Sequence, residues 1–244
     1  MTATDAALAA SIASEAGELL LALRAQMADP AERKAEGDAR ANVLILDRLH
    51  EHRPTDAIMS EESADDLTRL GRERVWIVDP LDGTREFGED GRDDWAVHVA
   101  LALDGTAAVG AVALPALGSV YATDPTPALT PRRPGPVRLV VSRTRPPEVT
   151  ERLREALDAE LVPMGSAGAK TMAILRGEVD VYAHAGGQYQ WDSAAPVAVA
   201  AAAGLHVSRL DGSPLRYNEA ERSLPDLLIC RPEHAERVLA LTRT

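Results

Sequence analysis

An α+β first half joined to an α/β second half is the fold class this sequence predicts, on three observations. Two helical patterns precede a run of strand patterns that ends near Tyr121. Beyond residue 137, strand and helix patterns alternate, the arrangement that buries a central sheet between helices. Between the two, Pro125, Pro127, Pro131, Pro134 and Pro136 fall in one polar segment, a linker composition. The expected organisation is therefore a half at 1–124, a linker at 125–136 and a second half at 137–244.

The first half opens on an amphipathic helix from about Asp5 to Met27, with Ile12, Ala16, Leu19, Leu20, Leu23 and Met27 at helical spacing. Asp29-Pro30 is expected to end it, and a polar stretch with Lys34 and Gly37 follows. A second helix is expected to start at Asp38, as its N-cap, and to stop before Pro54. Ala57–Ser60 reads as a short strand running into Glu61-Glu62-Ser63, a pair that suits either a helix start or a site. Trp95, Val97, Val99, Leu101 and Leu103 alternate with small residues and His98, so a long strand is expected. Asp104-Gly105 turns it into Ala107–Leu114, and Val120-Tyr121 suggests one more strand. His98 is read as structural, since no second ligand stands at a useful spacing.

In the second half, Val137–Val141 is a strand and Pro147–Ala159 a helix opened by proline. Gly165-Ser166-Ala167-Gly168-Ala169-Lys170 leads into a helix closed by Gly177. Val179–Ala183 is a strand, Gly186-Gly187 a loop, and Trp191-Asp192-Ser193 begins an alanine-rich helix ending at Gly204. A short strand, an Asp211-Gly212 turn, the strand Leu227–Cys230 and a terminal helix complete the chain.

The chemistry gathers at Val75–Phe87. Val75–Val78 reads as a buried strand that Pro80 and Asp82-Gly83 stop, so Asp79 and Asp82 leave its end on a bend. Converging carboxylates repel unless protons or cations lie between them; an ordinary Asp-Gly turn is the other reading. Asp192 stands at another strand-to-helix junction, beside free backbone amides. Glu61, Asp79, Asp82 and Asp192 in one site would need cations, and oxygen donors without paired histidines or cysteines select Mg²⁺ or Mn²⁺ over Zn²⁺. Such ions would let an acidic chain hold a phosphate.

Composition narrows the function. A formal net charge of −12 argues against a sequence-blind grip on nucleic acid or an anionic membrane. The single cysteine, Cys230, excludes an internal disulfide and suggests a reducing compartment. Met1–Asp5 has no basic region before an apolar run, and no stretch is read as long and apolar enough to span a bilayer. A soluble cytoplasmic protein is expected.

Asp79-Pro80-Leu81-Asp82-Gly83-Thr84, with Glu61-Glu62-Ser63 before it and Trp191-Asp192-Ser193-Ala194-Ala195 after it, resembles the Mg²⁺-dependent, Li⁺-inhibited phosphatases typified by inositol monophosphatase. The blocks stand in the family's order over nearly the whole chain. The resemblance implies a layered α-β-α-β-α sandwich of the sugar-phosphatase type, often a homodimer, with the site between the halves. It implies two or three Mg²⁺ ions: Glu61, Asp79 and the Leu81 carbonyl on one, Asp79, Asp82 and Asp192 on the second, and Asp38 helping to hold a weaker third. Thr84 would pair with Asp38 to orient and deprotonate a water for in-line attack, without a covalent phosphoenzyme.

Substrate choice rests on smaller marks. Arg85-Glu86 after Gly83-Thr84, and Pro196 after the Trp-Asp block, are similar to the CysQ-type branch acting on 3′-phosphoadenosine 5′-phosphate. Ala185, Gly186 and Gly187 stand where inositol phosphatases carry an acid for sugar hydroxyls. Lys170, one of two lysines in the chain, is expected either at a second phosphate or the ribose, or as a solvated helix lysine. The substrate contacts expected are Asp82, Gly83, Thr84, Arg85, Gly165, Ser166, Lys170 and Asp192. A sugar phosphatase acting on inositol phosphates or fructose 1,6-bisphosphate, and a non-catalytic metal- or phosphate-binding regulator, are the alternatives; the retained Thr84 argues against the regulator.

Overall fold

The computed structural model describes residues 3–65 and 67–243; Met1 and Thr2, part of the chain start read above, lie outside them. Two five-stranded sheets carry the fold. The first has the order β1(Ala57–Ser60), β2(Arg74–Asp82), β3(Ala96–Leu103), β4(Thr106–Leu114), β5(Ser119–Ala122), with β1 and β2 parallel and the other neighbours antiparallel. The second has the order β7(Glu160–Met164), β6(Arg138–Ser142), β8(Val181–Tyr189), β10(Ser223–Cys230), β9(His206–Ser208).

Helices fill three layers. The first two, α1(Asp5–Gln26) and α2(Pro30–His52), bury Leu8, Ile12, Leu20, Ile45 and Leu49 on the outer face of the first sheet. After the short α3(Thr84–Gly88), α4(Glu148–Leu157) and the last helix, α7(Pro232–Thr242), cover the outer face of the second sheet through Leu153 and Val238. Between the sheets lie α5(Ala167–Leu175) and α6(Gln190–Ala202), in one core with Ala96 and Ala100 of β3 and Tyr182, Leu227 and Ile229 of the second sheet. The result is the expected α-β-α-β-α sandwich.

The period-2 pattern of β3 explains the stacking. Val97, Val99 and Leu101 face α1 and α2, while Ala96, Ala100 and Ala102 face the inner helices. Small residues there let α6 come close, and at Gly110 of β4 an added Cβ would stand 2.6 Å from the Ala195 carbonyl oxygen. In β2, Val75, Trp76, Ile77 and Val78 are all buried, covered on both faces. Each stabilises the fold by about 1.5–3 kcal/mol through burial. The β3–β4 turn places Asp104 at φ 48° and Gly105 at φ 75°, two positive values that match the strand twist.

Several boundaries differ from expectation. Asp29-Pro30 opens a helix: the Asp29 side chain accepts from Ala31 N at 2.8 Å and Pro30 takes the first helical position. Asp38 therefore lies inside α2 and caps nothing. Gly37 is the reason the stretch looked non-helical; an added Cβ would stand 2.9 Å from Phe87 Cε1, so the glycine admits a packed ring. Glu61-Glu62 lie on a turn, and β8 runs through Gly186 and Gly187, both at φ 73°. The helix α1 is long and apolar enough to cross a membrane by length and composition, with mean hydropathy 1.5, contrary to the reading above. Its apolar residues are buried on the first sheet. The strand β7, which the sequence reading passed over, contains Pro163 and sits at a sheet edge, where the missing N–H leaves no ladder bond unmade.

Candidate active site and cleft

The strand β2 does not stop at Pro80. It continues to Asp82 through a bulge, the pairing with β3 slipping between Asp79 and Asp82. The bulge lets the two aspartates converge. Asp79 Oδ1 accepts from Leu81 N at 3.0 Å, while Asp79 Oδ2 is buried with no hydrogen-bond partner. Gly83 then turns at φ 86°, beside Asp94 O and Ser166 Cβ, each 3.2 Å from where a Cβ would sit. That turn delivers Thr84 to the first position of α3, its hydroxyl donating to Leu81 O at 3.1 Å.

The second half supplies Asp192, in the first turn of α6, where its carboxylate accepts from Tyr189 N at 2.6 Å. One carboxylate oxygen from each of Asp79, Asp82 and Asp192 lies within 4.8 Å of the others, a group able to hold a metal ion. Glu61 stands beside it, close enough to Asp79 for the two acids to interact. Burial and the neighbouring Glu61, Asp82 and Asp192 push Asp79 well above the carboxylate range. Burial, then Asp82, pushes Asp192 to about 8, and burial with Asp82 and Glu62 pushes Glu61 to about 7. Without a cation these acids hold protons that solvated carboxyls would have released. An all-oxygen donor set with an orphaned buried carboxylate oxygen fits a hard divalent cation.

Asp38 and Thr84 meet as expected. Asp38, on α2, hydrogen-bonds Thr84, and burial with Glu62 and Glu61 raises it to about 7. Ser166, the N-cap of α5, is buried; its hydroxyl donates to Asp82 Oδ2 and accepts from Ala169 N at 2.9 Å. It supports the aspartate rather than opening to solvent. Gly165 admits Glu86, whose Cδ lies 2.2 Å from where a Cβ would stand.

Beside the acids lies a cavity of about 460 Å³ lined by Asp82, Asp192, Lys170, Tyr182, His184 and Arg145, among others. Gly83, Thr84 and Arg85 line a neighbouring one, which shares Ser142, Arg145 and Gly165 with the first. Lys170 is buried, its ammonium donating to Gly165 O and standing 5.2 Å from the Tyr182 ring centroid. Arg85 points outward and is exposed, while Glu86 turns inward to Arg143, 2.5 Å from its Nε. Sequence reasoning missed Ser142, Arg143 and Arg145; the run Ser142-Arg143-Thr144-Arg145 at the end of a buried strand is the signal that would have found them. His98, read as structural, is fully buried, its Nε2 3.3 Å from Asp82 Oδ2 with no hydrogen bond to it.

The sequence model of the inositol monophosphatase family matches residues 3–244. The chain belongs to that family. It is 51% identical over 254 residues to a 3′-phosphoadenosine 5′-phosphate phosphatase of Mycobacterium leprae, covering 98% of this chain and 94% of the relative. It is 55% identical over 235 residues to one of Mycobacterium tuberculosis, covering 92% and 88%. Among solved structures, CysQ from Bacteroides thetaiotaomicron superposes with a TM-score of 0.78 at 25% identity, covering 93% of this chain and 97% of that one. Membership accounts for the sandwich and for acids from both halves meeting between the sheets.

Proposed function

We propose that this chain hydrolyses the 3′-phosphate of 3′-phosphoadenosine 5′-phosphate to AMP and phosphate, with Mg²⁺, or Mn²⁺ in its place, held by the acid group. The observation that carries the reading is a charge asymmetry in one cleft. At one end stand Asp79, Asp82 and Asp192; along the wall stand Lys170 and Arg145. Arg143 is bound by Glu86 and by Glu89 at 2.6 Å, whereas the Arg145 guanidinium makes no side-chain hydrogen bond or ion pair among the described residues. In a chain of net charge −12, an unpaired guanidinium over a cavity suits a second phosphate. The names of the relatives agree, and Ala185-Gly186-Gly187 on the same wall offer no carboxylate to sugar hydroxyls.

Asp79, Asp82, Asp192 and Glu61 would hold the cations, with the Leu81 carbonyl and Asp38 completing the set. When bound, divalent cations neutralise the phosphoryl oxygens and make a nearby water more acidic. Thr84, held between the Leu81 carbonyl and Asp38, orients the attacking water. Asp38, beside Thr84, is placed to take its proton. Lys170 and Arg145 hold the second phosphate, so that the ester bond to be cut faces that water. A reducing, cytoplasmic setting is supported by the buried free thiol of Cys230, and a homodimer by the family resemblance.

The test is phosphate release at one Mg²⁺ concentration from 3′-phosphoadenosine 5′-phosphate, 3′-AMP, inositol 1-phosphate and fructose 1,6-bisphosphate. The bisphosphate nucleotide is expected to show the highest kcat/KM. Arg145→Ala is expected to lower it roughly ten- to a hundredfold for that substrate and to leave 3′-AMP nearly unchanged. A sugar phosphate that outpaces the nucleotide sinks the substrate assignment.

A further inference from the structure

Glu86 stands outside the acid group, yet it is buried between the two halves, 4% exposed. It lies on α3, two residues after Thr84, and reaches the second half at two places. Its Oε1 accepts from Arg143 Nε at 2.5 Å, and Arg143 Nη2 donates to Glu89 at 2.6 Å, so that guanidinium is tied twice to the first half. The Glu86 side chain also packs on Gly165, where an added Cβ would stand 2.2 Å from its Cδ. Those two places carry the cations of the cavity. Arg145 follows Arg143 by two residues, on a loop where Arg143 N donates to Met164 O at 3.1 Å and Arg145 N to Ser142 Oγ at 3.3 Å. Lys170 donates from its ammonium to the Gly165 carbonyl. One carboxylate of the first half thus abuts both second-half segments that place positive charge in the cleft.

We propose that Glu86 is a positioning residue of the second-phosphate site, fixing from α3 where Arg145 and Lys170 stand relative to Thr84. The physical reason is preorganisation. Arg145 is exposed on a loop, and an arginine so placed loses side-chain and loop freedom when it binds an anion. Gripping the nearby planar guanidinium of Arg143 with two carboxylates removes part of that freedom before the substrate arrives. Glu86 and Glu89 also neutralise Arg143, so the positive charge left toward the cavity belongs to Arg145 and Lys170. Because Glu86 and Thr84 share one turn of helix, a single short element sets the span from the attacking water to the second phosphate. The inference rests on the reading that Arg145 and Lys170 hold that phosphate.

The experiment measures kcat and KM of the full chain for 3′-phosphoadenosine 5′-phosphate and for 3′-AMP at one Mg²⁺ concentration, with the Tm of each variant. Glu86→Gln keeps the side chain's volume against Gly165 and removes its charge from Arg143. It is expected to raise KM for the bisphosphate roughly three- to tenfold, with kcat and the 3′-AMP constants nearly unchanged. In an Arg145→Ala background the same substitution is expected to cost nothing further, since it acts through that arginine. Equal losses on both substrates would show a structural role alone and overturn the proposal. Full additivity with Arg145→Ala would overturn it too, as would a lowered KM, which would mean that Glu86 withholds Arg143 from the phosphate. Wild-type constants in Glu86→Gln beside a loss in Arg145→Ala would overturn the role of Glu86 and leave the second-phosphate site standing. No loss in Arg145→Ala would sink that site's assignment, and this inference with it. Should Glu86→Gln fail to fold, Arg143→Lys decides, because a lysine has no fork with which to bridge Glu86 and Glu89. An unchanged preference for the bisphosphate over 3′-AMP in that variant overturns the proposal.

Discussion

Replacing Asp82 with asparagine should change the metal-free protein in opposite senses at the two ends of the pH scale. The substitution keeps the shape and leaves one carbonyl oxygen to accept from Ser166 and Gly168, but it removes a charge from a group whose oxygens lie within 4.8 Å. Two unit charges at that separation repel by about 3.5 kcal/mol at an effective dielectric of about 20. That figure is for one pair at the outer distance, and protonation of Asp79 and Asp192 relieves part of it. At pH 5 those neighbours carry protons, Asp192 being raised to about 8, so little repulsion remains to be removed. The variant then only exchanges charge-assisted hydrogen bonds for neutral ones and should lose about 1–2 kcal/mol. At pH 9, above the value of about 8 for Asp192, that neighbour ionises and relief wins, by about 1–3 kcal/mol. For a chain of this length that is roughly 2–12 °C in Tm, at 2–4 °C per kcal/mol. In wild type, the raised acids bind protons more tightly folded than unfolded. Stability in chelator should therefore fall as pH rises from about 4 through 8, by up to about 1.4 kcal/mol per pH unit for each such buried group. The assay is thermal unfolding of both proteins in chelator from pH 5 to 9, repeated with Mg²⁺. Wild type should gain stability from Mg²⁺ at high pH, and the variant should gain little. Parallel pH curves without a crossing, or an undiminished Mg²⁺ response in the variant, would refute the account of the acid group.

Two further outcomes follow from the same geometry. Thr84→Ala should lower kcat with little change in ground-state substrate binding, since the hydroxyl donates to the Leu81 carbonyl and stands beside Asp38; a rise in KM alone, from steady-state kinetics, would make Thr84 a binding group. Phosphate release should vanish in chelator, return with Mg²⁺ and fall with millimolar-scale Li⁺ as family membership implies; full activity in chelator would remove the cations from the mechanism.

The sequence by itself determined the architecture and most of the acid group, because local signals specify both. Alternating small and large residues on β3, the Asp104-Gly105 turn and the alanine-rich stretch after Trp191 each name their element through side-chain size and backbone freedom. Asp82 and Asp192 were legible because each stands where a strand gives way to a turn or helix, and Asp79 because Pro80 marks the break in pairing that follows it. Where the reading went wrong, the glycines served another purpose: Gly37 looked like a breaker and is a seat for Phe87, and Gly186-Gly187 looked like a loop and form the irregularity within β8 where its pairing with β10 slips. Only the tertiary structure decided which polar groups are committed and which are open. Ser166 is spent on Asp82, Arg143 on Glu86 and Glu89, while Arg145 is left facing the cavity. It alone brought His98 of β3 to the Trp191 carbonyl at the start of α6. No spacing along the chain encodes such pairings, because they arise where two independently patterned layers are pressed together by the burial of the core between them.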